Sequence, residues 1–407
     1  MQGKTIVLGI TGGIAAYKVA DIASKLTQDG ARVDVIMTKE AQEFITPLTL
    51  ASLTGRPVIT DMFGQSQGPP IAHVALGQAA DILVIAPATA NIIAKIAAGI
   101  ADDVLTCTVL ATEVPVLIAP AMHAAMYRNQ ATQRNMARLK ERGFSFVGPA
   151  TGRLASGQFG PGRFTENVNV IGAIYQLLGK KGDLGGKRIV VTAGGTQEPI
   201  DPVRYISNRS SGKMGYAVAM AARDRGAEVT LITTPTSLSA PYGVTVVPVS
   251  TAEEMQQAVS KATPKADVLI MAAAVADFRA GSAASQKIKR AGKKLTLELT
   301  PTPDILKGVK GNLIKVGFAA ESQNLVENAR RKLREKGLHL IIANDITATD
   351  SGFGSDDNRV SIIDRRGKVE DLPLLPKSAV AHHILDRLVA LLTPAHTKSK
   401  IRAQNAK

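Results

Sequence analysis

The sequence is poor in the residues that several classes of protein need. It contains no tryptophan, and only 4% of its 407 residues are aromatic, which leaves little material for a base-stacking surface that binds single-stranded nucleic acid. Its single cysteine, Cys107, excludes an intrachain disulfide framework, and we interpret it as a buried small hydrophobic residue. No apolar run is long enough to span a membrane, and the opening stretch MQGKTIVLGIT lacks the features of a signal peptide. We therefore expect a cytoplasmic protein without a membrane partner.

Positive charge is in excess, with 49 Lys and Arg against 34 Asp and Glu and a formal net charge of +15. The net charge is +4 over residues 1–182 and +11 over residues 183–407. Four of the positive residues belong to a polar tail that we expect to be disordered. They are Lys398, Lys400, Arg402 and Lys407. Because aromatic residues are scarce, we favour phosphorylated small molecules over nucleic acid as ligands. A nucleic-acid- or phospho-ligand-binding protein is the alternative, and tight, salt-sensitive DNA binding would favour it.

Apolar runs of strand length alternate with helical patterns twice along the chain. In the first half, helical periodicity over Ile14–Gln28 and Asn129–Arg142 separates short β-rich runs at 4–11, 31–38, 81–88 and 114–121. The pattern restarts in the second half, with β-rich runs at 187–195, 227–233, 267–274, 313–320 and 338–345. Buried strands interleaved with helices predict parallel sheets covered on both faces. We therefore predict two tandem Rossmann-like α/β domains.

The predicted domains have boundaries in polar, glycine-rich sequence. Residues 1–178 form the first domain, and LLGKKGDLGGK contains a linker at 179–186. Residues 187–393 form the second domain, which is followed by the basic tail at 394–407.

Two segments of the first half are suited to binding an anion or a flat ring. GITGGIAAYK at 9–18 places glycines between a strand and a helix, where the backbone can approach a ligand closely. APATANIIAKIAAG at 86–99 puts small and hydroxyl residues at the carboxyl end of a strand. His73 is expected just before a short helix that leads into the strand at 81–88, so we place it near the same sheet edge, although a solitary histidine is more often structural.

These segments, together with TKEAQEFITPL, HVALGQAADILVIAPATAN, AKIAAGIADDVL and APAMHAAMY, closely resemble the flavin-dependent decarboxylases of cysteine carboxyl groups. The nearest likeness is to phosphopantothenoylcysteine decarboxylase, a flavodoxin-like flavoprotein. The second half resembles phosphopantothenate–cysteine ligase through TAGGTQEPIDPVRYISNRSSGKMGYAVA, AAAVADFR, KIKR, TPDIL, GFAAES and ARRKLREKG. The tandem resembles the bifunctional coenzyme A biosynthesis proteins of bacteria over all but the basic tail.

The resemblance implies an FMN site in the first half. The residues implied to contact FMN are Gly12, Gly13, Ile14, Thr38, Ala88, Thr89 and Asn91. His73 matches the catalytic histidine, which is expected to move a proton and orient the substrate carboxylate. The family usually has an asparagine that binds this carboxylate, whereas this chain has His123, which can also donate a hydrogen bond.

A second departure from the family lies in RLASGQFGPGRF at 153–164, which matches a mobile flap. Relatives often have an acidic cysteine thiol where this chain has Ser156, and a serine hydroxyl is a far weaker acid. His123 or water then has to supply that proton, and Arg153 or Arg163 can meet the substrate phosphate. The alternative is an active ligase with an impaired, flavin-binding decarboxylase half.

In the second half the resemblance implies a CTP-dependent ligation through an acyl-cytidylate, with Mg²⁺. Asn208, in the loop SNRSSGKMG, is expected to stabilise the intermediate, and Lys287 to stabilise the transferring group. The residues implied for CTP are Asp277, Lys287, Pro303, Asp304, Ile305, Leu306, Phe318, Lys332 and Lys336. Without the resemblance, Lys332 and Lys336 would be interpreted as a solvated helix face. Metal ligands are not identified, and the preference for CTP over ATP rests on the resemblance. So does the expected assembly, a homo-oligomer of trimeric flavin domains and dimeric ligase domains that could reach a dodecamer.

Overall fold

The computed structural model describes residues 1–63, 72–290, 295–321, 323–345 and 354–392. The chain forms two compact units, Met1–Leu178 and Gly179–Lys407. None of the described helices is both long and apolar enough to cross a membrane. The predicted tail at 394–407 lies outside the described residues.

The first unit is built on a five-stranded parallel sheet in the order β2-β1-β3-β4-β5. The strands of this unit are β1 (Thr5–Ile10), β2 (Arg32–Met37), β3 (Ile82–Ala88), β4 (Val116–Pro120), β5 (Ser145–Phe146), β6 (Ala150–Arg153) and β7 (Phe159–Arg163). Ile6, Val7 and Leu8 are all fully buried although successive side chains point to opposite faces. Both faces of the sheet are therefore covered, and the prediction of a parallel α/β sheet is confirmed. β6 and β7 form a separate antiparallel hairpin.

Helices connect the parallel strands of this unit. They are α1 (Val19–Gln28), α2 (Pro47–Thr54), α3 (Ala72–Ala79), α4 (Ala90–Ala98), α5 (Val104–Ala111), α6 (Ala124–Arg128), α7 (Gln130–Glu141) and α8 (Asn167–Gly179). Sequence signals set several of their ends: Thr89 caps the start of α4, and Gly99 ends it in the left-handed conformation. Cys107, expected to be buried, is only half-buried in α5, where its thiol contacts the Met62 sulfur.

The predicted helix over Ile14–Gln28 is divided. Residues Ile14–Lys18 form a 3-10 turn, and α1 begins only at Val19. Gly13 has no side chain to cap the first turn, and its carbonyl instead accepts a hydrogen bond from the Ala16 N–H, three residues on. The glycine-rich turn is consequently followed by one 3-10 turn, whereas the hydrophobic pattern predicts an α-helix from Ile14 onward.

The second unit is built on an eight-stranded sheet in the order β12-β11-β8-β13-β16-β17-β19-β20. Its sheet strands are β8 (Arg188–Ala193), β11 (Glu228–Thr233), β12 (Thr245–Pro248), β13 (Val268–Met271), β16 (Ile314–Glu321), β17 (Leu340–Asp345), β19 (Val360–Asp364) and β20 (Val369–Asp371). Further short strands are β9 (Gln197–Pro199), β10 (Tyr205–Ser207), β14 (Phe278–Ala280), β15 (Leu299–Pro301), β18 (Asp357–Asn358) and β21 (Leu375–Pro376). The predicted parallel pairing is confirmed from β12 to β17, whereas β19 and β20 are an antiparallel edge that the repeat pattern missed.

The helices of the second unit divide between the two faces of its sheet. They are α9 (Lys213–Asp224), α10 (Ala252–Ala262), α11 (Ile305–Gly308), α12 (Leu325–Glu335) and α13 (Lys377–Leu392). Side chains of α9 and α13 share one hydrophobic core with one face of the sheet. Side chains of α10, α11 and α12 share a second core with the other face. Loops at the carboxyl end of the sheet therefore meet helix ends from both faces.

The segment 179–186, predicted as a linker, packs into the second unit. Leu184 is fully buried in the core beneath α9 and α13. A side chain at Gly179 would lie only 1.9 Å from the Asp224 carbonyl oxygen. The Arg225 guanidinium also binds both carboxylate oxygens of Asp183. The glycines that suggested a flexible connection thus allow close backbone packing.

Candidate functional site

The first unit has a cavity of about 910 Å³ at the carboxyl end of its sheet, which we call the first-unit cavity. The turns after β1, β3 and β4 and the β6–β7 hairpin form its walls. This is the edge at which open α/β sheets bind ligands. The lining residues are Gly12, Gly13, Ile14, Ala15, Tyr17, Lys18, Thr89, Ala90, Ala121, Met122, His123, Met126, Arg153, Leu154, Ala155, Ser156, Gly162, Arg163 and Phe164.

The glycine-rich turn lines this cavity and packs closely against the loop after β2. A Cβ atom at Gly12 would lie 2.3 Å from the Glu40 Cβ, so a larger residue would push the turn away from the neighbouring loop. The Thr11 hydroxyl donates to the Pro87 carbonyl at 2.6 Å and accepts from the Thr89 N–H at 3.2 Å. This hydroxyl joins the turns after β1 and β3 into one wall.

His123 stands at the start of α6 and lines the cavity. Its Nδ1 accepts a hydrogen bond from the Ala125 N–H at 3.2 Å. In the neutral imidazole the proton is then on Nε2, which can donate to a ligand. His123 can therefore supply the hydrogen bond expected of the family's asparagine.

The segment 153–164 contains a β-hairpin turn rather than an irregular loop. The Leu154 N–H donates to the Gln158 carbonyl at 2.8 Å, and Ser156 is exposed at the tip. The Gly162 carbonyl accepts from the Met122 N–H at 2.9 Å, which joins the hairpin to the segment that carries His123. Arg163 makes an ion pair with Glu166 at 2.7 Å. Whether the hairpin moves as a flap stays a prediction.

The predicted flavin residues fall into two groups. Gly12, Gly13, Ile14 and Thr89 line the cavity. Among the described residues, those that do not line it include Thr38, Ala88, Asn91 and His73, and their roles stay predictions. His73 is half-buried in the first turn of α3, whereas we expected it just before the helix.

A flavin fits residues of this cavity and also Thr38, which does not line it but whose N–H donates to the Ile10 carbonyl at the end of β1. The hydroxyl of Thr38 is buried and has no hydrogen-bond partner among the described residues. An unpaired buried hydroxyl is costly unless a ligand or water satisfies it. Apolar side chains that the sequence reasoning missed, Tyr17, Met122, Met126 and Phe164, offer contacts for a ring. The sequence gives only a weak indication that these four residues line a ligand site, because apolar residues beside a turn also occur in ordinary hydrophobic cores.

The second unit has a cavity of about 880 Å³, the second-unit cavity, at the carboxyl ends of β13, β16 and β17 and beside the start of α9. It brings together nine of the residues predicted for the ligase reaction, although they are widely separated in the sequence. They are Asn208, Asp277, Pro303, Asp304, Ile305, Leu306, Phe318, Lys332 and Lys336. Parallel strands bring their following loops to one edge, which gathers most of these residues, whereas Phe318 lies within β16 and Lys332 and Lys336 reach the cavity from α12 and the residue after it.

Oppositely charged side chains form an ion pair on the cavity wall formed by α11 and α12. Lys336 forms an ion pair with Asp304, which also caps α11 by accepting from the Lys307 N–H. Burial, the largest single effect, would raise the pKa of Asp304, but the hydrogen bonds from Lys336 and the Lys307 N–H and the charges of both lysines together outweigh it, so the pKa is lowered. Lys332 donates to the Phe318 carbonyl at 3.1 Å. These contacts indicate an ordered wall rather than a freely solvated helix face.

Asn208 holds the loop that precedes α9 against the end of β13. Its Nδ2 donates to the carbonyls of Ala274 and Val275, at 3.2 Å each. Gly212 then starts α9 in the left-handed conformation, with φ of 78°. The first turn of α9 is thereby placed against the cavity, which Gly212, Lys213, Met214 and Gly215 line.

Two lysines that the sequence reasoning did not select stand on the opposite wall. Lys213 donates to the Gly354 carbonyl at 2.9 Å and pairs with Asp356 at 2.7 Å. Lys377 is only 6% exposed and donates to the Ser355 carbonyl. Burial lowers the pKa of Lys377, and the charge of Lys213 lowers it further, against the opposing effect of Asp356 and Asp357.

Lys287 is placed differently from the other predicted ligase residues. It is exposed and, among the described residues, is not part of the cavity lining. The neighbouring Ile288 N–H donates to Asp201, and its carbonyl accepts from Arg204. No group of three or more His, Cys, Asp or Glu side chains that could hold a metal ion occurs within the described residues.

Comparison with known proteins identifies relatives of both units. A family described as Flavoprotein matches residues 1–179, and one described as DNA/pantothenate metabolism flavoprotein C-terminal domain matches residues 184–392. A protein of Vibrio vulnificus named coenzyme A biosynthesis bifunctional protein CoaBC is 44% identical over 398 residues, covering 96% of this chain and 99% of the relative. A Bacillus subtilis protein of the same name is 44% identical over 397 residues, covering 96% and 98%. A crystal structure of the C-terminal domain of a CoaBC protein is 43% identical and covers 52% of this chain and 97% of that one, with a TM-score of 0.45.

Proposed function

The chain belongs to the family of bifunctional coenzyme A biosynthesis proteins, and on this premise we propose that it converts 4′-phosphopantothenate and cysteine into 4′-phosphopantetheine. Residues 187–393 carry out a CTP-dependent ligation, and residues 1–178 decarboxylate the product. The observation that carries the proposal is the second-unit cavity, whose walls contain nine of the residues implied for the ligase reaction. The first-unit cavity supplies a separate place for the decarboxylation.

In the ligation, a carboxylate oxygen of phosphopantothenate attacks the α-phosphorus of CTP, and pyrophosphate leaves. The cysteine amine then attacks the acyl carbon of this acyl-cytidylate, and CMP leaves. Lys332 and Lys336 provide positive charge for the nucleotide, which both lowers the repulsion between two polyanions and orients them. Asn208 can turn its amide toward the acyl-cytidylate from the loop before α9.

We include Mg²⁺ in this proposal as an ion held mainly by the CTP phosphates. Mg²⁺ sites on nucleotides need only one or two protein carboxylates, which is consistent with the described cavity. Asp277 and Asp304 line it, and Asp304 is paired with Lys336. Asp277 is therefore the carboxylate that we propose for the ion. Lys287 stays a proposed contact of the transferring group.

In the decarboxylation, the cavity-lining backbone of Gly12 and Gly13 would hold FMN with Ile14 and Thr89, and the unpaired Thr38 hydroxyl would contact it from beside the cavity. When bound, FMN supplies a reversible two-electron oxidation of the substrate's cysteine side chain, after which the carboxyl group leaves as CO₂. His123 donates from Nε2 to the substrate carboxylate and orients it. Arg153 lies where it can meet the substrate phosphate. His73 is proposed to move a proton, and Ser156 to leave protonation to His123 or water.

Product analysis by mass spectrometry tests the two halves separately. With phosphopantothenate, cysteine, CTP and Mg²⁺, we expect the mass of phosphopantothenoylcysteine to appear first and the mass of phosphopantetheine to follow. With phosphopantothenoylcysteine alone, we expect decarboxylation without any need for CTP. A protein that releases no pyrophosphate from CTP in the complete mixture would contradict the ligase assignment, and one that stops at phosphopantothenoylcysteine would contradict the decarboxylase assignment.

We further propose a cytoplasmic homo-oligomer with trimeric flavin domains and dimeric ligase domains. Exposed apolar side chains on the short hairpins of the second unit, Val203, Tyr205, Phe278 and Leu299, support an association through this unit. Light scattering after size-exclusion chromatography measures the mass of the assembly. A monomeric chain at micromolar concentration would contradict this part of the proposal.

A further inference from the structure

The second-unit cavity has positive charge on two opposite walls. Lys332 and Lys336 come from α12 and the residue after it, and α12 packs on one face of the sheet. Lys213 and Lys377 are the first residues of α9 and α13, which pack on the other face. All four lysines line the cavity. The cavity therefore has cations on walls that belong to both faces of the sheet.

Lys377 is held in place rather than solvated. It is only 6% exposed, and its backbone N–H donates to the Asp356 carbonyl at 3.0 Å while its ammonium donates to the Ser355 carbonyl. Burying an ammonium is costly, and the nearby carboxylates of Asp356 and Asp357 compensate only partly, since Lys213 repels it. An anion bound between the two lysines would offset both the burial and the repulsion.

Asn344 provides an independent sign that a ligand belongs at this place. It lies at the carboxyl end of β17, is only 9% exposed and lines the cavity. Its Oδ1 has no hydrogen-bond partner within the described part of the chain. The unpaired oxygen is an acceptor, so it needs a donor such as a water of the hydrated Mg²⁺ that accompanies a polyphosphate, whereas the NH₂ group of the same amide can donate to a phosphate oxygen.

The start of α9 adds hydrogen-bond donors to the same wall. Gly212 provides no side-chain cap for this helix of 12 residues. The Lys213 N–H donates to the Ser211 hydroxyl at 3.5 Å, while the next two N–H groups, those of Met214 and Gly215, belong to cavity-lining residues and can face an anion, which the helix dipole also favours. These donors accompany the two ammonium groups and the unpartnered amide.

We propose that Lys213, Lys377 and Asn344 bind the β- and γ-phosphates of CTP and retain pyrophosphate as it leaves. The proposal rests on the ligase function proposed above. When the carboxylate oxygen bonds to the α-phosphorus, the bond from that phosphorus to the bridging oxygen breaks. The bonding electron pair stays on the bridging oxygen, so negative charge grows on pyrophosphate. Cations placed at this end of the nucleotide would thus bind it and also stabilise the leaving group.

Lysine-to-glutamine variants of the full-length chain test this assignment. We expect Lys377→Gln and Lys213→Gln each to raise the KM for CTP and the inhibition constant of pyrophosphate by roughly tenfold, the loss expected for one charge-assisted hydrogen bond. The KM for phosphopantothenate and inhibition by CMP, which lacks the β- and γ-phosphates, are expected to stay within about twofold. Lys261→Gln, on the exposed side of α10, is the matched control that leaves all four constants unchanged.

Three outcomes would overturn the assignment. An unchanged inhibition constant of pyrophosphate in both variants would contradict the proposed site. A rise in the KM for phosphopantothenate alone would show that the lysines bind the phosphate of that substrate instead. An inhibition constant of CMP that rises as much as that of pyrophosphate would show a general loss of nucleotide binding.

If Lys377→Gln fails to fold, as judged by thermal unfolding, the variant of the half-exposed Lys213 still tests the proposal. Calorimetric titration with pyrophosphate and Mg²⁺ measures the site without turnover, so a wild-type chain that binds pyrophosphate but makes no product would contradict the proposed function instead.

Discussion

Gly162 joins the β6–β7 hairpin to the segment that carries His123, and its replacement by alanine tests that junction. The residue has φ of 117°, a conformation that side chains rarely adopt. A Cβ atom there would lie 2.2 Å from the Met122 carbonyl oxygen, which belongs to the backbone and cannot rotate away. The hydrogen bond from the Met122 N–H to the Gly162 carbonyl crosses the same junction. Gly162→Ala must therefore separate the two segments.

The expected magnitude follows from a comparison within the hairpin. Gly157 also has a positive φ, of 83°, but a Cβ atom there meets no atom within 4 Å. Alanine at Gly157 is expected to cost about 1–2 kcal/mol of backbone strain. Alanine at Gly162 adds the displacement of Met122 and the loss of its hydrogen bond, roughly 2 kcal/mol more. For a unit of this size, that difference corresponds to a melting temperature lower by about 4–8 °C.

Decarboxylation assays and thermal unfolding of the two variants measure these effects. A displacement of about 1 Å at His123 is expected to lower kcat/KM for phosphopantothenoylcysteine by on the order of 100-fold in Gly162→Ala. Gly157→Ala is expected to show a much smaller loss, and both variants should keep the ligase rate of the wild type. Equal effects of the two substitutions on decarboxylation would refute the reasoning, because only Gly162 contacts the His123 segment.

Three further predictions concern other parts of the chain. Ser156→Ala should reduce decarboxylation much less than His73→Ala, because an exposed hydroxyl is a poor acid, and equal losses in steady-state assays would contradict this view of Ser156. Leu184→Ala should lower the free energy of unfolding of the second unit by about 2–5 kcal/mol in urea, since Leu184 is fully buried; a neutral effect would restore the linker interpretation. Asp304 has a lowered pKa in the folded chain, so its stabilising contribution is present above the unfolded value of about 3.9 and is lost as pH falls through the folded value. The stability difference between the wild type and Asp304→Asn should accordingly shrink below that pH in urea titrations, and a difference that grows on acidification would contradict the assigned ion pair.

The sequence alone determined the α/β class, the parallel pairing and the two-part architecture of the chain. Strands such as Ile82–Ala88 are apolar throughout because both faces of their sheet are covered, so their pattern is visible without coordinates. The turns that line the first-unit cavity could also be predicted, because glycine, as at Gly12 and Gly13, favours tight turns and threonine, as at Thr89, favours the start of a helix. Membership of the family followed from motifs long enough to be specific.

Only the tertiary structure decided which residues share a wall of a cavity. Lys213 and Lys377 are separated by more than a hundred and fifty residues, and they meet because α9 and α13 pack on the same face of one sheet. The Gly-Lys-rich segment containing Leu184 looked like a linker because composition does not record that its glycines permit close packing against Asp224 and Arg225. The antiparallel edge at β19 and β20 was missed for a related reason, since short hairpin strands lack the helix that marks each parallel connection. The local sequence pattern specifies the helices and strands, whereas long-range packing selects which of them pack together. The position of Ser156, at the tip of a hairpin that is joined to the His123 segment, depends on this long-range packing.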